Sequence, residues 1–265
     1  MPSVVLRPIA SYARIWRNLE DGLHDDSPIA SWRPACGLFL LFLRQMFSDD
    51  TRLKIENITQ GIIIQGQQDN CTAIRNLLCA GFPTSTTVKT DFEGKAIIKK
   101  EQAKCLENYS KKNNLWVADL PTEDRYLTRG GEARIYLHED GMNVIKLNDS
   151  VYYATWLEFF NSILLHNLIF ENTSYILLGL TKQDDVLYAV LQQPFITSDA
   201  QAELEDIKKL LEFNGFNNTK RNDYLHKDLG LILEDMHDEN IIVNSETLFF
   251  IDTVFYTVSH NPGLR

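Results

Sequence analysis

Residues 233–243 read LEDMHDENIIV, and residues 250–252 read FID. The apolar runs at 241–243 and 248–251 are rich in β-branched and aromatic residues, and the polar segment 244–247 separates them. Two strand-like runs around a polar turn predict a β-hairpin. Such a hairpin brings the side chain before its first strand and the side chain after its second strand to the same end. A hairpin whose polar ends carry no chemistry is the alternative interpretation.

Three oxygen-bearing side chains stand at the ends of this hairpin. Asp235 and Asn240 have the spacing D-x-x-x-x-N, and Asp252 follows the second strand. This order is typical of sites that position a hydroxyl nucleophile and magnesium around the γ-phosphate of ATP. In such a site Asp235 is the catalytic residue beside the hydroxyl. Asn240 and Asp252 are then the metal ligands, because magnesium prefers hard oxygen donors.

Two features upstream fit the same chemistry. Residues 128–137, TRGGEARIYL, contain Gly130 and Gly131, and glycines let a backbone approach phosphates without a steric clash. The strand-like run NVIKL at 143–147 carries Lys146, which can contact nucleotide phosphates as a point charge. Each signal is weak alone. Their order ahead of the D-x-x-x-x-N segment predicts that these residues bind ATP.

A long apolar helix is predicted at 151–170, with its polar residues three or four positions apart on one stripe. Glu158 lies on this stripe, where it is expected either to pair with Lys146 or to face solvent. Because few residues separate these two, Glu171 is a substitute partner. His166 is interpreted as a packed or surface histidine rather than a general base.

Short strands, a helix and a loop are predicted between residues 174 and 228. Strands are predicted at 174–180 and 186–192, a helix at 202–213 and a loop at 217–228. Gln193 follows the second of these strands, where the chain leaves the sheet. At that point its backbone can face the adenine of a bound nucleotide.

Composition restricts the class of protein. The 265 residues are 44% hydrophobic, enough for a substantial core, and the formal net charge is −10. A negative charge of this size argues against nucleic acid and anionic membranes as partners. The four cysteines show neither a C-x-x-C pair nor zinc-ligand spacing, so we expect reduced thiols. No leader-like segment opens the chain, and the apolar run at 37–43 is too short for a membrane span, so we expect a cytoplasmic protein.

The first 90 residues form an N-terminal region whose role the sequence does not reveal, with partial disorder as an open alternative. Its predicted elements are helices at 9–23, 38–47 and 71–79, the last capped at Asp69 or Asn70, and a strand at 61–66. A further helix is predicted at 97–113. The domain boundary is placed just before that helix.

Several of these segments resemble the kinase-like domain of bacterial polyvalent proteins, the multidomain products carried by phages and conjugative elements. The resemblance covers roughly residues 95–258, and a more distant one links the chain to protein kinases at large. The segments that carry the resemblance are 130–137, 143–148, 152–162, 233–243 and 250–255.

The resemblance implies an α+β, two-lobed protein-kinase-like fold at 95–265. It has a small β-rich lobe and a truncated C-terminal lobe, and a mostly helical N-terminal region at 1–90 precedes it. The cofactors implied are ATP and Mg²⁺, and the reaction is phosphoryl transfer to a hydroxyl of an unknown protein or small molecule. The implied site residues are Asp235, Lys146 and Glu158 as catalytic, Gly130, Gly131, Lys146 and Gln193 as nucleotide-binding, and Asn240 and Asp252 as metal-binding.

The chain departs from the protein-kinase pattern in three ways. Asp252 is followed by Thr and Val where D-F-G would stand, Leu233 replaces the usual His, and few residues follow Asp252. His237 gives the pattern D-x-H-x-x-N, which looks more like small-molecule kinases. A nucleotide-binding pseudokinase or interaction module without catalysis is therefore the alternative function, and a fold relic without a nucleotide site is a third.

Overall fold

The computed structural model describes residues 47–66, 69–82, 92–131 and 133–258. These residues form an α+β structure of five α-helices and eleven β-strands in three sheets. The helices are α1 (Asp49–Thr59), α2 (Asn70–Gly81), α3 (Phe92–Lys112), α4 (Trp156–Ile169) and α5 (Leu204–Phe213). The strands are β1 (Tyr126–Arg129), β2 (Ala133–Leu137), β3 (Asn143–Asn148), β4 (Ile176–Gln183), β5 (Val186–Pro194), β6 (Asn217–Lys220), β7 (Asp223–His226), β8 (Leu231–Glu234), β9 (Ile241–Asn244), β10 (Thr247–Phe250) and β11 (Val254–Thr257).

The largest sheet has five antiparallel strands in the order β1-β2-β3-β5-β4. The central strand β3 is buried along almost its whole length, as expected for a strand with neighbours on both sides. In its register, Lys146 is paired with Ile135 on β2 and with Leu191 on β5. The strands predicted at 143–147, 174–180 and 186–192 are confirmed, with ends that differ by at most three residues.

The predicted C-terminal hairpin is confirmed as β9 and β10. Asn244 is paired with Thr247, so the loop has two residues, Ser245 and Glu246, and both have positive φ (49° and 61°). Two left-handed residues give the turn a twist that matches the twist of the flanking strands.

The loop predicted at 217–228 is wrong, because this segment forms β6 and β7 of a four-stranded sheet with the order β11-β8-β7-β6. β6 is an edge strand whose residues are all exposed, so it carries polar side chains and no apolar alternation. On β7 the alternation is present, since Tyr224 and His226 are buried while their neighbours are partly exposed.

The described part of the N-terminal region is helical. The helix predicted at 71–79 is confirmed within α2, where Asp69 Oδ1 accepts a hydrogen bond from Thr72 N at 2.9 Å and caps the helix. The strand predicted at 61–66 is wrong. The backbone of Ile64 is paired with the side-chain amide of Asn76 (3.0 and 2.8 Å) and not with a neighbouring strand.

The other two N-terminal helices predicted, at 9–23 and 38–47, lie outside the described residues except for Phe47, which is in a bend. The helix predicted at 97–113 is confirmed as α3, which begins five residues earlier, and the helix at 202–213 as α5. None of the helices in the described ranges is long and apolar enough to cross a membrane.

One large hydrophobic core joins α1, α2, α4, strands β4 and β5 of the five-stranded sheet and the C-terminal strands. α4 lies at its centre, and eleven of its residues are buried. The side chain of Arg75 on α2 donates to Asn161 Oδ1 on α4 at 3.0 Å, and Asn70 Nδ2 donates to Leu177 O on β4 at 2.9 Å. The predicted boundary near residue 90 stays a prediction, but the described helices upstream of it pack into the same core as the rest of the chain.

Candidate functional site

A cavity of about 420 Å³ lies between the five-stranded sheet and the C-terminal hairpin. This volume falls within the range of about 300–1,000 Å³ typical of small-molecule sites. Five of the sequence-predicted site residues line it: Gly130, Lys146, Gln193, Asn240 and Asp252. Three others, Gly131, Glu158 and Asp235, are not among the lining residues.

Lys146 lies on β3 in one wall of the cavity and contacts residues of the opposite wall. Its side chain is 5% exposed, and its Nζ donates to Ile251 O at 2.9 Å and lies 3.9 Å from Asp252 Oδ2. The hydroxyl of Tyr175 is 3.5 Å away, and the ammonium lies 5.4 Å from the centre of the same ring. A buried ammonium needs such acceptors, because its charge is costly to remove from water without them.

The predicted ion pair between Lys146 and Glu158 is wrong. Glu158 Oε1 instead lies 3.2 Å from Lys95 Nζ, and its Oε2 accepts from Ala154 N at 3.0 Å. Thr155 caps α4 by accepting from Glu158 N at 3.1 Å, so this carboxylate serves the first turn of the helix.

The sequence T-W-L-E at 155–158 carries the S/T-x-x-E signature of such a cap, and it could have placed Glu158 there. Glu171, the substitute partner, lies in an exposed turn between α4 and β4.

The hairpin places the two predicted metal ligands at one end, as its sequence pattern predicts. Ile251 N donates to Asn240 O at 3.0 Å, which joins the residue before Asp252 to the residue at the entry of β9. Asn240 Nδ2 donates to Asp235 O at 2.9 Å, which fixes the orientation of the amide. Its Oδ1 is therefore the atom available as a ligand.

Asp235 lies beside Asn240 but does not line the cavity. Its φ of 64° is left-handed, a conformation that Asp tolerates better than most residues, and its side chain is 63% exposed. Oδ1 is 3.4 Å from Nε2 of His237. The carboxylate is thus accessible from solvent.

The glycine segment forms the tight connection between β1 and β2. Gly130 N donates to Ala133 O at 2.9 Å, and Gly130 lines the cavity together with Arg129. At Gly131 a Cβ atom would overlap the end of the Tyr152 side chain, so that side chain lies against the Cα atom. Only the first glycine therefore faces the cavity, while the second makes room for Tyr152.

A buried polar network behind the cavity was missed by the sequence interpretation. His166 on α4 is fully buried, which confirms the packed alternative for this residue. Its Nδ1 lies 2.7 Å from Thr253 Oγ1, and its Nε2 lies 2.9 Å from Thr173 O. Burial lowers the pKa of His166 to about 3, and the positive charge of Lys146 acts in the same direction.

Gln193 belongs to the same network. Its side chain is almost fully buried, and its Nε2 donates to Thr173 O at 2.8 Å. The predicted contact with adenine concerned its backbone, whereas the structure shows its side chain bonded at the back of the cavity. No local pattern marks Thr253 as a partner of His166 and Thr173, because it is far from both in sequence.

The donor set fits a phosphate-bound magnesium ion. Asn240 and Asp252 supply an amide and a carboxylate oxygen, and magnesium is commonly held by one or two such ligands plus substrate phosphates and water. Within the described ranges no group of three or more His, Cys, Asp or Glu residues could hold a metal by itself. A metal in this cavity would therefore depend on oxygen atoms of the nucleotide as well.

Comparison with known proteins gives one family. Residues 99–259 match a family model described as a serine/threonine/tyrosine kinase found in polyvalent proteins. No curated protein and no solved structure matches the chain. The match covers most of the region, 95–258, for which the sequence predicted this resemblance, and it includes every residue that lines the cavity.

Proposed function

The chain belongs to the family of serine/threonine/tyrosine kinases found in polyvalent proteins, and we propose that it transfers the γ-phosphoryl group of ATP to a hydroxyl. The observation that carries the proposal is the approach of Lys146 Nζ to Asp252 Oδ2, at 3.9 Å, in a cavity that Gly130 and Asn240 also line. An ammonium, hard oxygen ligands and a glycine turn around one cavity are the parts that phosphoryl transfer requires.

In this proposal the five-stranded sheet and α4 form the small lobe, and the strands and helix after residue 196 belong to the second lobe. The segment from Gln193 to Ile196 connects them and lies in the cavity wall. Pro194 has no N–H, and Phe195 N donates to Met142 O at 2.8 Å. We therefore assign contact with the adenine edge to the backbone of Ile196.

The phosphates lie between the glycine turn and the hairpin. Lys146 acts as a fixed positive charge for the nonbridging oxygens, and Gly130 allows close approach of the β1–β2 connection. Asn240 Oδ1 and the Asp252 carboxylate would hold the metal. When bound, magnesium neutralises charge that develops on the phosphoryl oxygens.

Asp235 orients the acceptor hydroxyl and receives its proton. The acceptor oxygen forms a bond to the γ-phosphorus while the bond from that phosphorus to the bridging oxygen of ADP breaks. The exposed position of Asp235 leaves its carboxylate open to the acceptor. His237, 3.4 Å from Asp235 Oδ1, restrains the carboxylate from one side.

The acceptor is a protein or a small molecule. The D-x-H-x-x-N pattern formed by Asp235, His237 and Asn240 supports a small molecule, because it resembles small-molecule kinases. A cytoplasmic location and an origin in a phage or conjugative element stay predictions.

A nucleotide-binding module without catalysis is the second candidate, and one observation favours it. Lys146 has no carboxylate partner on α4 among the described ion pairs, whereas active protein kinases have the Lys–Glu pair in place. Both candidates bind the nucleotide, but only the kinase transfers its phosphoryl group.

The test combines thermal shift with phosphate transfer from labelled ATP to a small-molecule panel and a lysate. Magnesium and ATP together should raise the melting temperature, because a ligand that binds only the folded state stabilises it. Label transfer that Asp235→Asn abolishes supports the kinase. A melting shift without label transfer supports the non-catalytic module, and no shift with either ligand overturns both.

A further inference from the structure

The backbone that precedes Asp252 is held from behind by side chains of the small β-rich part of the molecule. Thr173 Oγ1 donates to Phe250 O at 2.6 Å. Tyr175 Oη donates to Ile251 O at 2.7 Å, which also accepts from Lys146. These bonds fix the backbone before Asp252. They do not hold the backbone after it.

The residue after Asp252 is held by α4. Thr253 is buried, and its Oγ1 lies 2.7 Å from Nδ1 of His166. At this position a protein kinase of the D-F-G type has an aromatic residue, which makes apolar contacts. Here the contact is a short hydrogen bond between two buried polar side chains, so its geometry is directional.

The partners of His166 determine which of its nitrogen atoms carries the proton. Thr173 O is a carbonyl and can only accept, so Nε2, 2.9 Å away, must donate. In a neutral ring Nδ1 is then the acceptor, and the Thr253 hydroxyl donates to it. The proton positions thus follow from the carbonyl, and Thr253 is oriented by the histidine.

The same carbonyl connects the network to the other end of the cavity. Thr173 O accepts from Gln193 Nε2 at 2.8 Å as well as from His166. Gln193 and Asp252 both line the cavity. A continuous chain of buried hydrogen bonds therefore joins the wall near the connecting segment to the residue next to Asp252.

We propose that His166 is a positioning residue: through Thr253 it holds the Asp252 carboxylate toward the metal, in place of the ion pair that α4 does not make with Lys146. This role rests on the proposed function, because it assumes that Asp252 is a metal ligand. Outer residues that orient a ligand commonly change metal affinity by about 10–100-fold when they are replaced.

The test measures how ATP binding depends on magnesium in the full chain. Thr253→Val keeps the shape and removes the hydroxyl, and Thr253→Ser keeps the hydroxyl. We expect the magnesium concentration that half-saturates ATP binding to rise about 10-fold in Thr253→Val and to stay within about two-fold in Thr253→Ser. Binding of ATP without magnesium should change little in both. Thr181→Val, at a buried threonine on β4 that does not line the cavity, is the matched control.

The outcomes separate this inference from the proposed function. If the wild-type chain binds ATP and magnesium but Thr253→Val has the same magnesium dependence, the positioning role is overturned and the proposed function stands. If the wild-type chain binds neither, both are overturned.

A measurement on the wild-type chain covers the case in which Thr253→Val does not fold. Nitrogen NMR of ¹⁵N-labelled histidine, assigned by loss of the signal in His166→Asn, should show a neutral ring with its proton on Nε2. A proton on Nδ1 contradicts the proposed geometry, because Thr253 could then no longer donate to that atom.

Discussion

Lys146 Nζ on β3 lies 3.9 Å from Asp252 Oδ2 at the exit of the C-terminal hairpin. The lysine side chain is 5% exposed and the aspartate side chain 37%. The ammonium is therefore fixed inside the protein, while the carboxylate reaches into the cavity. This contact joins the sheet that carries the glycine turn to the hairpin that carries Asn240.

Replacing Lys146 with Met keeps most of the stem volume and removes the charge. We expect kcat/KM for phosphoryl transfer to fall by at least about 10²-fold, because one preorganised group facing developing negative charge is worth this much. ATP affinity, measured by isothermal titration calorimetry, should fall too.

Lys182→Met is the control for this loss. Lys182 forms surface ion pairs with Glu107 at 3.5 Å and Asp185 at 3.3 Å, and such pairs contribute little to stability. We expect its ATP affinity and kcat/KM to stay within about two-fold of wild type. Similar losses in both variants would show that Lys146 acts through general stability or net charge.

Glu158→Ala should affect stability rather than transfer. The carboxylate accepts from Ala154 N at the start of α4 and pairs with Lys95 on α3. Loss of this hydrogen bond and of the negative charge in the first turn costs about 0.5–1.5 kcal/mol of unfolding free energy, which urea denaturation can measure. We expect kcat at saturating ATP to stay within about three-fold of wild type, because the side chain lies outside the cavity.

A large loss of kcat in a folded Glu158→Ala chain would restore the role that the sequence predicted for this residue. Lys95→Met provides the comparison, because it removes the partner on α3 and keeps the cap of α4. If the cap makes the main contribution of Glu158 to stability, Lys95→Met should lose less unfolding free energy than Glu158→Ala.

Local patterns predicted the elements that carry the site. The hairpin of β9 and β10, the strand that carries Lys146 and the helix α4 are each marked by a short run with one clear period. The sequence predicted a polar turn at 244–247, and the structure has a two-residue turn, Ser245 and Glu246, within it. Because either turn joins two adjacent strands, the proximity of Asn240 and Asp252 follows from the hairpin pattern.

Contacts between distant segments could not be predicted in the same way. The network of His166, Thr173 and Thr253 depends on how α4 packs behind the hairpin, and nothing local to any of the three residues specifies it. Glu158 is a different case. The sequence at 155–158 carries its capping signature, but its place on the polar stripe of α4 indicated either a pair with Lys146 or a solvent-facing position.

Gly179→Ala tests the junction between β4 and the segment that follows α3. Leu180 N donates to Leu115 O at 2.8 Å, and a Cβ at Gly179 would overlap that same carbonyl. Because a backbone atom cannot move aside as a flexible side chain can, we expect a loss of about 1–3 kcal/mol in unfolding free energy. Urea denaturation measures it.

Gly81→Ala is the matched control for this substitution. Gly81 lies in the last turn of α2, and a Cβ there meets no atom within 4 Å. Alanine is the better helix former, so we expect a gain of up to about 1 kcal/mol. A loss at Gly81 as large as that at Gly179 would mean that the overlap with Leu115 is not the cause.

The stability of the fold should decrease as the pH falls below 6.5, in part through His166. Burial lowers the pKa of this histidine from 6.5 to about 3, with a further contribution from the charge of Lys146. The unfolded chain keeps the ordinary pKa. Between these two values the unfolded state therefore binds a proton that the folded state excludes. The contribution of neutral His166 is complete above pH 6.5 and is lost progressively down to about pH 3.

His166→Asn isolates this contribution. The variant should be less stable than wild type at pH 7, because it loses hydrogen bonds to Thr253 and Thr173, but its unfolding free energy should change less between about pH 7 and about pH 5 than that of wild type. Burial also lowers the pKa of His226, so part of the wild-type slope remains in the variant. Urea denaturation across this range measures both slopes. Equal slopes would assign the proton uptake on unfolding to His226 and other groups, because His166 would then take up no more protons in the unfolded state than in the folded one.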